Sequence, residues 1–224
     1  MGRREYGQSC SLAVALDRVG ERWSMLIVRE LSLGPLRFSE LARSVGGAPT
    51  DVLTKRLRDL EADGIVSRRE LEPPAAATVY ELTGFGRGLE RPMLELSRWG
   101  IELMSVEEFT DISPTSLPNA LRVILRPPRD FELTLALRSD GHAYLLRFAD
   151  GWIAASRESA AADLTLAGEP IDVVAAIVLG GEAEERIAIE GDRGALEALR
   201  TMVEIPARIR AEAVESAAAG ILTR

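Results

Sequence analysis

The sequence is poor in the side chains that carry out most enzyme chemistry. Its 224 residues include one cysteine, Cys10, and one histidine, His142, and these lie far apart in the chain. Nucleophilic and metal-dependent sites combine several such residues, and no glycine-rich phosphate loop is present either. We therefore expect a protein that is not an enzyme and that holds no cofactor and no metal.

Long apolar runs are also lacking. No run approaches the roughly 18 residues that span a bilayer, and residues 1–8 are charged and polar, unlike a secretory leader. One cysteine cannot form an internal disulfide, which is typical of a reducing compartment. We expect a cytoplasmic protein with no membrane partner.

Acidic charge is unevenly distributed along the chain. The net charge is −8, yet residues 1–104 carry 15 basic and 15 acidic side chains. The remainder of the chain carries 12 basic and 20 acidic side chains. Such an asymmetry predicts two domains. Because phosphates respond to local patches of charge, the acidic total does not exclude DNA binding by the first half.

The stretch at residues 48–64, APTDVLTKRLRDLEADG, has the pattern of an amphipathic helix that starts at Pro49 and Thr50 and stops at Gly64. One face is apolar and the other carries short polar and cationic groups. The apolar stripe comprises Leu53, Leu57 and Leu60, and the opposite face comprises Asp51, Thr54, Lys55 and Arg58. Either this is an ordinary surface helix or it is a helix that lies in a DNA major groove.

The flanking segments favour the second alternative. Apolar spacing predicts helices at 9–19 and 23–33, followed by a short helix at 40–45 with Ser39 as its N-cap and a Gly46-Gly47 turn. A short helix, a glycine turn and a cationic helix form a helix-turn-helix pattern. Predicted strands at 65–71 and 78–82 enclose a loop and would form a wing. Thr83 would cap a long apolar helix that is suited to a dimer interface.

Eight blocks follow one another in this half: Cys10, GERW at 20–23, LIVREL at 26–31, RFSEL at 37–41, VLTKRLRDLE at 52–61, DGIVSR at 63–68, YELT at 80–83 and WG at 99–100. In these blocks, residues 10–99 resemble the HxlR family of winged helix-turn-helix transcription regulators, which are relatives of the MarR type. The resemblance implies an obligate homodimer that reads an inverted repeat in double-stranded DNA.

Ten residues are candidates for DNA contacts: Arg37, Ser39, Thr50, Asp51, Thr54, Lys55, Arg56, Arg58, Arg68 and Arg69. Cations and N-terminal amides suit phosphates, and short polar or forked groups suit base edges. Alternatives stay open for four of them, since Arg37, Ser39 and Thr50 could simply cap helices and Arg56 could form a structural salt bridge. Asp51 departs from the family pattern, and the wing tip at 73–77 lacks a cation, which leaves Arg68 and Arg69 at its base.

Cys10 has two interpretations. A thiol at a helix start has a depressed pKa, because the amide dipoles favour the thiolate. The resemblance to the HxlR family also implies a sensor role, since some members of that family sense oxidants with a cysteine at this place. The alternative is a small buried apolar residue.

The second half has the pattern of an α+β domain with a mostly antiparallel sheet. A Ser/Thr/Pro-rich linker at 110–118 precedes alternating runs at 121–125, 131–137, 143–148, 151–156, 162–167 and 187–189, which predict strands. Asp140-Gly141 and Asp150-Gly151 predict hairpin turns. Helices are expected at 171–179, 193–203 and 207–222.

Four further motifs stand out in this half: ADLTLAG at 162–168, GG at 180–181, IEGD at 189–192 and ALEAL at 195–199. In these motifs the second half resembles the sterol-carrier-protein type 2 family. The resemblance implies a tunnel for a fatty-acid, sterol or other small apolar ligand, with plain core packing as the alternative. The lining candidates are Leu133, Leu135, Trp152, Leu166, Val174, Ile177 and Val178.

Together these patterns predict a multi-domain protein. An N-terminal winged helix-turn-helix domain, mainly α with a two-stranded wing, would occupy 1–109, and a sterol-carrier-like α+β domain would occupy 119–224. The predicted function is a dimeric transcriptional repressor modulated by an apolar effector. The alternatives are a lipid carrier that dimerises through its winged helix, and a thiol-sensing regulator that acts through Cys10.

Overall fold

The computed structural model describes residues 5–72 and 76–218, and the side chains through residue 215. It contains two compact units, Met1–Met93 and Leu94–Arg224. Most of the predicted wing tip, at residues 73–75, and the end of the predicted last helix, beyond 218, lie outside the described residues.

The first unit consists of helices with a small sheet whose strand order is β1-β3-β2. Both strand pairs are antiparallel, and the β2–β3 register runs from Val66 opposite Leu82 to Glu70 opposite Thr78. The elements are α1 (Ser11–Val19), α2 (Ser24–Leu31), β1 (Leu36–Arg37), α3 (Phe38–Val45), α4 (Thr50–Ala62), β2 (Val66–Glu70), β3 (Thr78–Leu82), α5 (Gly84–Arg87) and the start of α6 (Glu90–Ile101).

The core of this unit follows from the leucine spacing of α4. Leu53, Leu57 and Leu60 are 2% exposed or less, because positions three and four apart share one face of a helix. Leu41 and Val45 of α3 are also buried. The two helices are therefore anchored by apolar faces, which leaves the outer face of α4 for solvent or a ligand.

Helix α3 begins earlier than the sequence predicts. Its first residue is Phe38 and its N-cap is Arg37, so the assignment of Ser39 as N-cap is wrong. The reason is Glu40, the third residue of the helix, whose carboxylate Oε2 accepts the Arg37 backbone N–H at 2.7 Å, as the N3 residue of a capping box does for its N-cap. Ser39 instead lies in the first turn.

The second unit packs helices with a five-stranded sheet of order β6-β5-β4-β7-β8, in which only the β4–β7 pair is parallel. Its elements after α6 are α7 (Val106–Thr110), α8 (Leu117–Ile124), β4 (Leu133–Ser139), β5 (His142–Ala149), β6 (Trp152–Ser156), β7 (Leu164–Ala167), α9 (Pro170–Val178), a 3₁₀ helix (Gly181–Arg186), β8 (Ala188–Gly191), α10 (Arg193–Thr201) and α11 (Ala207–Ala218).

Both predicted hairpin turns are confirmed. Asp140 and Gly141 have φ of 45° and 73°, and Asp150 and Gly151 have φ of 54° and 73°. Positive φ at both central residues is the requirement of the type I′ turn that joins tightly paired strands. These turns connect β4 to β5 and β5 to β6.

The strand predicted at 121–125 is wrong, since these residues lie in α8 and at its C-terminal end. The segment LRVIL is buried on all sides. A short apolar run buried all round has no distinguishing period, so it resembles a central strand as much as a buried helix. Pro118 in the first turn of α8 favours the helix, because its missing N–H costs nothing there.

The two units divide within α6, between Met93 and Leu94. The predicted linker at 110–118 lies inside the second unit, and its last two residues already belong to α8. The expected domain boundary at 109 stays a prediction about independently folding parts of the chain.

Candidate nucleic-acid interface

The outer face of α4 exposes the polar residues that the sequence assigned to it. Thr50, Asp51, Lys55 and Arg58 are exposed, and Thr54 is half-buried. The Thr54 hydroxyl donates to the Thr50 carbonyl oxygen at 2.7 Å, so its proton is used within the helix while its oxygen lone pairs stay available. The face therefore offers two cations and several short polar groups to a ligand.

The two cations of this face differ in their surroundings. Lys55 Nζ lies 2.8 Å from Asp59 Oδ2, one turn further along α4. No hydrogen bond or ion pair holds the Arg58 guanidinium within residues 5–72 and 76–218. Arg58 is accordingly the better placed of the two to receive a phosphate.

Arg56 lies inward of that face. Its side chain is 13% exposed and forms ion pairs with Asp59 at 3.2 Å and with Glu21 at 3.6 Å. This geometry favours the structural alternative for Arg56, because both nearby carboxylates would have to be displaced before the guanidinium met DNA.

The start of α3 supplies the other predicted phosphate contacts. Arg37 and Ser39 are both exposed there. Sequence reasoning missed Arg43, an exposed cation in the last turn of α3 whose Nε donates to the Ser39 carbonyl oxygen at 3.3 Å. Its position within the short helix that precedes the glycine turn is the signal that could have identified it.

Two arginines lie on the wing strand β2. Arg68 Nε is 3.5 Å from Glu61 Oε1. Arg69 forms a forked pair with Glu81 of β3, with distances of 3.0 and 3.1 Å. Hydrogen bonding from Arg69 lowers the pKa of Glu81, and the same bonds raise the pKa of Arg69. Both arginines are half-exposed but already paired, so a DNA contact by either competes with an existing ion pair.

Cys10 is exposed and forms the N-cap of α1. The interpretation as a buried apolar residue is therefore wrong. The nearby backbone amides of Ala13 and Leu12 lower the pKa of its thiol, since the first amides of a helix favour the thiolate.

In the second unit, six of the seven proposed pocket residues are packed in the core. Leu133, Leu135, Leu166, Val174, Ile177 and Val178 are each 8% exposed or less, and Trp152 is half-buried. Leu133 also borders an open cavity of the second unit. No group of three or more potential metal ligands is assembled in the described part of the chain, and none of its helices has the length and apolarity to cross a membrane.

A short helix, a turn and an exposed polar helix, followed by a two-stranded wing, define a winged helix-turn-helix protein. Residues 18–108 match the family model described as HxlR-like helix-turn-helix. The chain belongs to this family, which makes it a transcriptional regulator rather than an enzyme.

Individual regulators are similar to this chain over stretches of comparable length. The uncharacterised regulator YybR of Bacillus subtilis is 36% identical over 93 residues, which are 42% of this chain and 74% of that protein. Rv3095 of Mycobacterium tuberculosis is 39% identical over 94 residues, 42% of this chain and 59% of that protein. The solved structure of the redox regulator HypR in its oxidised form is 34% identical and covers 43% of this chain and 99% of its own, with a TM-score of 0.40.

Proposed function

We propose that this protein is a DNA-binding repressor that acts as a homodimer on an inverted-repeat operator. The observation that carries the proposal is the outer face of α4, where Lys55 and Arg58 are exposed opposite three buried leucines. A cationic helix face of this kind suits the major groove, and a dimer would place two of them about one DNA turn, roughly 34–36 Å, apart.

Exposed apolar helix faces support the dimer. In the first unit, Leu12 and Val14 of α1 are 65% and 51% exposed. In the second unit, Leu96 and Trp99 of α6, and Leu103 just after it, are 55–67% exposed. Large apolar side chains clustered on a surface mark contact sites, and a second copy of the chain is the partner that the family assignment indicates.

Repression follows from occupancy of the operator, because a bound dimer excludes other proteins from overlapping DNA. An effector would change this occupancy only if it bound one spacing of the two α4 helices better than another. The second unit is the proposed place for such an effector.

Selection of bound sequences from random DNA by the full chain tests the proposal. We expect an inverted repeat, and we expect the double charge reversal Lys55→Glu/Arg58→Glu to abolish binding to it. The matched control is Arg129→Glu/Arg138→Glu, which reverses two exposed arginines of the second unit. Recovery of no sequence preference, or equal operator binding by both double variants, would refute a role for α4 in reading DNA.

Oligomeric state is tested separately by light scattering on the wild-type chain and on Trp99→Lys. We expect a dimer for the wild type and a shift toward monomer for the variant, because a buried ammonium would oppose the contact. A wild-type monomer at micromolar concentration would contradict the dimer.

Thiol sensing through Cys10 is a second candidate function, favoured by the exposure of this residue and the lowered pKa of its thiol. Oxidation would either join two chains or cap the sulfur, since the sequence has no second cysteine. We expect peroxide to release the wild-type protein from its operator and to leave Cys10→Ser bound. Release of both proteins alike would eliminate this function.

A further inference from the structure

The cavity at one end of the second unit's sheet combines an apolar floor with an acidic rim. Its volume is about 820 Å³, which lies within the roughly 300–1,000 Å³ of small-molecule sites. It lies where β4 begins, where β5 ends and beside α10, and all of its lining residues belong to the second unit.

The floor is built from aromatic and aliphatic side chains. Leu133 and Phe148 are paired across β4 and β5 and are buried. The ring of Phe131 meets that of Phe148 edge to face, with 5.7 Å between centroids. Ala195 and Ala198 of α10 complete the wall. An apolar body, particularly a ring system, is the shape that such walls accommodate.

The rim carries three exposed carboxylates, those of Glu132, Asp163 and Asp192. Glu132 has no hydrogen bond or ion pair with any described residue. Asp163 accepts one backbone bond, from the Thr134 N–H at 2.8 Å, which leaves its second oxygen facing no protein donor in the described part of the chain.

The positive groups near the cavity are already compensated. Arg147 lines the cavity but lies 2.6 Å from Glu158, outside it. The N-terminus of α10 also borders the space, and there Asp192 accepts the Gly194 N–H at 2.8 Å. That carboxylate offsets the positive end of the helix dipole, so Glu132 and Asp163 determine the remaining charge of the rim.

We propose that this cavity binds an organic cation with an apolar, ring-containing body, such as a quaternary ammonium or phosphonium compound. The charge of the rim selects the cation, and the aromatic floor binds its body and interacts with its charge through the ring faces. An anionic lipid would meet repulsion from Glu132 and Asp163. As the effector site of the regulator this inference rests on the proposed function, whereas binding itself is measured without DNA.

Titration calorimetry on the full chain tests the site with two probes of the same shape. Tetraphenylphosphonium carries a positive charge and tetraphenylborate a negative one. We expect one phosphonium per chain, at least tenfold weaker binding of the borate, and weakening of phosphonium binding as salt is raised. Equal binding of the two ions, or no binding of the phosphonium, would overturn the proposal.

Paired variants distinguish this cavity from the general acidity of the second half. Glu132→Gln/Asp163→Asn removes two rim charges while an amide oxygen still accepts the Thr134 N–H, and we expect about tenfold weaker phosphonium binding, given the strength of exposed charge pairs. Glu182→Gln/Asp140→Asn removes two exposed carboxylates elsewhere in the unit and should leave binding within twofold.

A third variant tests the space itself. Ala198 lines the cavity and is half-buried, so Ala198→Phe should fill the cavity and abolish phosphonium binding while the thermal midpoint stays near that of the wild type. Unchanged binding by this folded variant, or equal losses in the two double variants, would show that the cation associates with surface charge and not with this cavity. If the wild-type protein bound no operator, the DNA proposal would be refuted, but the calorimetric results would still test the cavity, because they are measured without DNA.

Discussion

Lys55 and Asp59 form an ion pair along the outer face of α4, with 2.8 Å between Nζ and Oδ2. Arg58, which lies between them in sequence, has no such partner among the described residues. A phosphate that approaches this face therefore finds one cation already engaged and one available. The difference leads to unequal expectations for two substitutions that remove the same charge.

Arg58→Ala should weaken operator binding more than Lys55→Ala. Loss of a phosphate cation should reduce the slope of log affinity against log salt by about 1, whereas Lys55 must first leave Asp59 and should change the slope by less. Gel shifts at several salt concentrations measure both slopes. Equal slopes for the two variants would show that the ion pair between Lys55 and Asp59 does not affect how much each cation contributes to DNA binding.

Replacing Arg56 should lower the stability of the fold and leave DNA binding unchanged. Its side chain is 13% exposed and its guanidinium bridges Glu21 and Asp59, so Arg56→Ala removes the ion-pair partner of Glu21 and leaves Asp59 paired with Lys55 alone. We expect a loss of about 1 kcal/mol in the free energy of unfolding, typical of a partly buried interaction, measured by urea denaturation. The salt slope of operator binding should be unchanged, and Arg58→Ala serves as the converse control.

The forked pair between Arg69 and Glu81 should make the wing sensitive to acid. Because Arg69 lowers the pKa of Glu81 in the folded chain, the pair stabilises the fold above the unfolded pKa of a glutamate, about 4.3. That stabilisation is lost as the pH falls through the lower, folded value.

Denaturation of the wild type and of Glu81→Gln from pH 3 to pH 7 measures this effect. We expect the wild type to be the more stable protein near pH 7 and the difference between the two to diminish below about pH 4.3. A difference that stays constant over the whole range would exclude titration of Glu81 as its cause.

Helix α4, which carries the proposed site, could be predicted from sequence because one of its faces is apolar and buried and the other is polar and exposed. Leu53, Leu57 and Leu60 repeat at helical spacing, and burial of that stripe fixes which side faces outward. The same reasoning failed at residues 121–125, where burial on all sides removes the contrast between faces. Periodicity alone therefore does not distinguish a short buried helix from a buried strand.

The site was harder to predict than the fold, because partners distant in sequence decide what a side chain is free to do. Arg56 lies one residue from Lys55, and only the position of Glu21, 35 residues away, reveals that its charge is engaged. Likewise, the rim of the cavity in the second unit joins Glu132 to Asp163 through strand pairing that no local pattern encodes.

Arg122 should be the most costly arginine of the second unit to replace. It is 1% exposed, and within α8 its Nη1 donates to Asn119 Oδ1 at 3.1 Å while its Nε donates to the Ile153 carbonyl oxygen at 3.0 Å. Its guanidinium also lies over the Trp152 ring, 5.4 Å from the centroid. Arg122→Leu leaves two buried acceptors without these donors, each worth about 1–3 kcal/mol.

We therefore expect Arg122→Leu to lower the free energy of unfolding by about 2–4 kcal/mol and to change the tryptophan emission, because the cation over Trp152 is removed. The control is Arg126→Leu, which removes a half-buried guanidinium whose carboxylate partner, Glu204, is itself largely exposed. An exposed pair of this kind contributes about 0–1 kcal/mol. Similar losses for both variants would mean that burial of the Arg122 contacts adds no stability beyond that of an exposed pair.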